Sequence, residues 1–89
     1  MKMLNKNSLI EAFIMAKNMN QYTFVVIDVF GETEEIIINK PHNSNFQLDY
    51  YKENYNDNLE LITNTKIKIV NFGCRKRKVL VKELNTSLL

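Results

Sequence analysis

Eighty-nine residues hold one domain, because a chain this short cannot support two cores. With 45% hydrophobic and 25% charged residues, two glycines and one proline, the composition excludes the polar, highly charged chains that stay unfolded. The formal net charge is +2, and the single cysteine, Cys74, excludes an internal disulfide and a cysteine-based zinc cluster, which points to the reducing cytoplasm.

The N-terminus starts basic and apolar, but Glu11 and Lys17 interrupt it. Its longest apolar run, Ala12 to Ala16, falls far below the roughly 18 residues of a membrane span. The expectation is a cytoplasmic chain with neither signal peptide nor membrane partner. A domain of this size buries only about 60 to 65% of its chain surface, so a homo-oligomer is one way to supplement a marginal core.

Ser8 followed by Glu11 has the spacing of a capping box ahead of an apolar run, which predicts a helix over 9–19. Leu9, Ile10, Phe13, Ile14, Ala16 and Met19 recur at helical spacing. Ala12 and Met15 widen that stripe, so the helix is either deeply buried or turned partly toward a partner, deep burial being the first expectation.

The run YTFVVIDVF, then GETE, then EIIIN before Pro41, predicts strands 22–30 and 34–39 joined by a tight glycine-containing hairpin. Asp28 interrupts the first strand, with Glu32, Glu34 and Glu35 close behind. These four form a candidate acidic contact surface. As a metal site they lack the spacing of a recognised binding loop, and an outward position on a half-solvated strand accounts for Asp28.

Ser44 and Gln47 repeat the capping-box spacing and predict a second helix over 45–55. Its aromatics make two rows, Phe46 with Tyr50, and Leu48 with Tyr51 and Tyr55, with Tyr50 the outermost ring and a candidate for partner contact. His42 precedes them in a turn with no second histidine, cysteine or serine motif near it. Beyond it, LELITNTKIKIVNF predicts strands 59–62 and 66–72, and KRKVLVKEL a further strand 77–83. The order α-β-β-α-β-β-β is that of an α+β domain, an antiparallel sheet with two helices packed on it.

Charge divides along this order. Up to Thr65 there are five lysines against nine acids, and from Lys66 seven cations against Glu83 alone. A hairpin with its loop at Gly73 to Arg75 would oppose Lys66 to Lys82, Lys68 to Leu80, Val70 to Lys78 and Phe72 to Lys76. Ile67, Ile69, Val79 and Val81 then point inward, and Lys66, Lys68, Lys76, Lys78, Lys82 and Phe72 share the outer face. Arg75 and Arg77 complete the basic set. Such a face fits phosphates or an acidic protein, but it equally fits a sheet edge guarded by lysine. No recognised nucleic-acid motif accompanies it.

No glycine-rich phosphate loop, GxSxG or HExxH occurs, and one histidine with one cysteine gives no nucleophile pair in sequence. The expectation is a non-enzyme without cofactor or metal. The segment EEIIIN, Pro41, Phe46, YYKENYNDNLEL and IKIV resembles small uncharacterised proteins encoded by phages and mobile elements of low-GC Gram-positive bacteria, over about residues 34–70. That resemblance implies a non-enzymatic binder in the host cytoplasm, such as an anti-CRISPR-like inhibitor of a bacterial nuclease or defence complex. The other expectations are a nucleic-acid-binding accessory protein that uses the lysine face, and a homo-oligomeric structural domain.

Overall fold

A computed structural model describes residues 4–76. The predicted strand 77–83, and with it Arg77, Lys78 and Lys82, lies outside the described residues. The rest is the expected α+β domain: helix α1 (Lys6–Met19), strands β1 (Tyr22–Val29) and β2 (Thr33–Asn39), a 3-10 turn (Pro41–Asn43), helix α2 (Ser44–Asn54), and strands β3 (Glu60–Leu61) and β4 (Asn64–Arg75). The strands form one antiparallel sheet in the order β2-β1-β4-β3.

Helix α1 begins three residues before the predicted start, because Asn5 and not Ser8 caps it. The Asn5 carboxamide oxygen accepts the Ser8 amide at 2.9 Å, and the Ser8 hydroxyl accepts the Asn5 amide at 3.1 Å. Asparagine is as good a cap as serine, and the serine hydroxyl returns the bond that glutamate makes in the sequence signature. At the other end Asn20 turns left-handed, φ 54°, and its amide closes on the carbonyls of Ala16 and Lys17.

Deep burial of α1 is not what the fold provides. Leu9, Phe13 and Ala16 are buried, while Ile14, Met15 and Met19 are about half exposed. Helix α2 also departs from its predicted cap: Asn43 makes no side-chain cap bond and Ser44 is already helical, its hydroxyl buried without a partner. The chain enters α2 directly from the 3-10 turn, and the Ser44 amide bonds the Pro41 carbonyl. Tyr55 leaves the helix in extended conformation as its C-cap.

One face of the sheet carries the main core. Val25 and Ile27 of β1 and Ile69 and Phe72 of β4 pack with Leu9 and Phe13 of α1 and Leu48 and Tyr51 of α2, joined by Tyr55 and Leu59. The Tyr51 ring meets Phe13 edge-on at 5.7 Å and Tyr55 at 5.6 Å. Burying each such side chain contributes about 1.5–3 kcal/mol.

Strand β4 corrects two expectations. It continues through Arg75, pairing Phe72 with Val25, Gly73 with Phe24 and Arg75 with Tyr22, so no hairpin loop occupies 73–75. Gly73 is there to be packed upon: a Cβ at this position would stand 3.0 Å from Phe24 Cε1. An ordinary side chain would displace the ring, so the glycine lets the aromatic lie across the neighbouring strand.

The second correction is one of parity. Asn71 pairs with Val26 but Ile69 pairs with Ile27, so Val70 is an extra residue, a β-bulge. Ile67 and Ile69 face the helices as expected, and the bulge returns Phe72 and Cys74 to that same side. Phe72 is fully buried there and does not share a face with the lysines. Val70 instead joins Tyr22, Phe24, Val26 and Ile38 in a smaller cluster on the outer face.

Candidate interaction surfaces

The pleat puts Asp28 on the outer face of β1, half-buried, directly between Glu34 of β2 and Lys68 of β4. Lys68 in turn opposes Glu60 of β3. A row Glu34–Asp28–Lys68–Glu60 therefore crosses the sheet. Glu34 beside Asp28 is a like-charge pair, mildly unfavourable in an antiparallel ladder, and Lys68 offsets it on one side only. Glu60 is held by its loop: its amide donates to Asn56 Oδ1 at 3.0 Å and its carboxylate accepts from Asn56 Nδ2 at 3.1 Å.

The four predicted acidic residues sit on one hairpin without converging on a point. Asp28 and Glu34 are on the outer face, Glu32 is in the turn, and Glu35 opposes Ile27 on the helix side. The Asp28 carboxylate is engaged in the turn itself, where it accepts the Gly31 amide at 3.1 Å. Among the described residues no group of three or more histidines, cysteines and carboxylates could hold a metal ion.

The sequence reading missed the residue at the tip. Phe30 and Gly31 both have positive φ, 58° and 70°, and the Glu32 amide closes on the Val29 carbonyl at 3.1 Å. Positive φ at both central residues marks a mirror-image hairpin turn, a conformation that glycine adopts freely and a bulky side chain does not. Phe30 is nonetheless 52% exposed, so it gains little from burial in return. The turn is anchored on its other flank by the Phe30 amide, which donates to the Lys66 carbonyl at 3.1 Å. The signal was the dipeptide Phe30–Gly31 between two β-branched runs, which places the aromatic inside the turn.

Of the predicted basic set, Lys66, Lys68 and Arg75 share the outer face, and Lys76 follows Arg75 and is exposed. They are not one patch. Lys66 and Lys68 stand at the hairpin-turn end among acids, whereas Arg75 is at the opposite end, its guanidinium 5.9 Å from the Phe24 ring centroid in a cation–π contact.

Two tyrosines are perturbed. Burial, with the neighbouring Tyr55 and Tyr50, pushes the Tyr51 phenol far above its ordinary value, and burial, Tyr50 and Glu35 raise that of Tyr55. Both are core packing and not chemistry. On the helix surface Phe46, 77% exposed, projects further than Tyr50 at 47%. His42 is exposed in the 3-10 turn and Cys74 is buried. A cavity of about 340 Å³ beside Asn5, Lys6, Asn7 and Asp57 is a shallow polar hollow at the start of α1.

Among the described residues no helix is long and apolar enough to cross a membrane. No protein-family model, curated protein or solved structure matches the chain.

Proposed function

We propose that this is a non-enzymatic interaction protein that inhibits a bacterial nuclease or defence complex by occlusion, with the β1–β2 hairpin as its contact surface. The observation that carries the reading is Phe30, a half-exposed aromatic held at positive φ at the tip of a hairpin that also bears Asp28, Glu32, Glu34 and Glu35. Strain of this kind persists where the surrounding structure fixes it, and an exposed aromatic ringed by charge is the usual composition of an interface anchor. Acidic side chains around it suit a partner whose own surface is basic because it holds nucleic acid. The phage-type resemblance of residues 34–70 supports the same reading, with the host cytoplasm as the place of action.

Nucleic-acid binding through the lysine face is the weaker alternative. Lys68 is flanked by Asp28 and Glu60, which lowers the local potential that phosphates require. The test uses two baits in nuclease-treated bacterial lysate, the native chain and a variant carrying Phe30→Ala, Glu32→Lys and Glu34→Lys. The native chain is expected to recover a nucleic-acid-processing complex and inhibit it, and the variant to lose both. Equal recovery by both baits overturns the assignment, and binding to free oligonucleotides abolished by Lys66→Glu and Lys68→Glu favours the alternative.

A further inference from the structure

Strand β2 is the outermost strand of the sheet, and among the described residues nothing pairs with its outer edge. Natural edges of this kind are shortened, bulged, or interrupted by proline or lysine, because a row of unpaired amides and carbonyls is a template for another chain. β2 has no proline, lysine or bulge along its length, and its charges are Glu34 and Glu35, with Glu35 on the helix side. It runs seven residues, TEEIIIN, in unbroken register with β1, and contains three consecutive isoleucines, of which Ile36 is 44% exposed. Its backbone stays extended through Lys40, φ −70° and ψ 155°.

We infer that β2 pairs antiparallel with β2 of a second copy about a two-fold axis perpendicular to the sheet, centred on Ile37. Symmetry requires one residue to oppose its own copy across the axis, and only a few such centres are available. On Glu35 the axis would set that carboxylate against its own copy. On Ile36 it would set Glu34 and Glu35 against Ile38 and Ile37. On Ile38 it would set Ile36 against Lys40.

Centred on Ile37, every opposition is compatible: Ile37 meets Ile37, Ile36 meets Ile38, Glu35 meets Asn39, and Glu34 meets Lys40. Opposite charges and paired β-branched side chains are the favourable cross-strand combinations. Ile38 already belongs to the outer-face cluster with Phe24 and Val26, so the copy's Ile36 extends that apolar surface across the junction. The sheet becomes continuous over eight strands, with both copies' helices on one face. Edge pairing of a single strand buries a modest area, so the dimer dissociates on dilution.

The experiment is sedimentation of the full chain over a wide concentration range, with hydrogen exchange at β2. The native chain is expected to rise from 10.5 kDa toward twice that mass, with the β2 amides that point away from β1 slowing in step. Glu34→Lys places two lysines in opposition and Lys40→Glu two carboxylates, so each variant alone is expected to stay monomeric. Both positions are exposed, and an unchanged circular dichroism spectrum shows that the variants fold. Mixing the two variants, or combining both changes in one chain, restores opposite charges and is expected to restore the dimer. A single mass at all concentrations overturns the inference, as does a dimer that ignores the single swaps or a mixture that remains monomeric. Protection, in a monomer, of the β2 amides that point away from β1 also overturns it, since the edge is then covered within the chain.

Discussion

At Phe30 the energetics of one residue separate stability from function. An aromatic at φ 58° carries a backbone cost of about 1 kcal/mol that asparagine largely avoids, and half the ring remains in water. Phe30→Asn is therefore expected to raise stability by about 1 kcal/mol in denaturant unfolding. The same change removes the proposed anchor, so a more stable protein that no longer binds is the expected combination. Tyr51 makes a second residue-level case. Its folded-state pKa lies well above the unfolded value of about 10, so both states hold the proton below pH 10 and the contribution is complete there. Above pH 10 the unfolded chain ionises first and stability falls. Thermal melts are expected to be flat from neutrality to about pH 9 and to drop beyond it, with Tyr51→Phe keeping the packing and softening the drop.

Among the elements, β4 shows how far local pattern reaches. Alternation at Lys66–Ile69 was legible and placed Ile67 and Ile69 inward, where the structure has them. What followed was not, because period two carries no memory across a bulge: Val70 adds one residue, and every side chain after it changes face. The adjacent apolar pair Ile69–Val70 before Asn71 is the trace the bulge leaves in the sequence. Deleting Val70 is expected to leave a regular ladder, with Ile69 still opposite Ile27 and Asn71 opposite Val26, so Phe72 and Cys74 stay inward and the cost is limited to the outer-face packing of Val70, about 1–2 kcal/mol in denaturant unfolding. A deletion that abolishes the cooperative unfolding transition would mean that Val70 is not the extra residue. Helix starts were misread for a related reason. Asn5, Ser8 and Ser44 are all competent caps in sequence, and choosing among them depends on the local backbone, extended at Asn5 and already helical at Ser44, where a 3-10 turn leads in.

At the scale of the whole fold, the charge separation along the chain does not become charge separation in space among the described residues. The sheet order interleaves the acidic hairpin with the first lysines of β4, so Asp28, Lys68 and Glu60 form a mixed row, and Arg75 lies at the far end against Phe24. Element order and fold class were readable because hydrophobic periodicity and turn residues are local. The strained tip was not, since Phe30 violates the propensity rule by which turns are found. That violation makes the hairpin tip the center of the functional account.

The proposed occlusion has a direct consequence: the protein and nucleic acid would compete for one surface of the captured nuclease. The deciding measurement is an equilibrium titration of labelled oligonucleotide bound to that nuclease, with the native chain and with Phe30→Ala as competitors. The expected result is full displacement by the native chain and a loss of at least tenfold in potency for Phe30→Ala, about 1.4 kcal/mol or more. A ternary complex in which oligonucleotide stays bound, or equal potency of the two proteins, would contradict it.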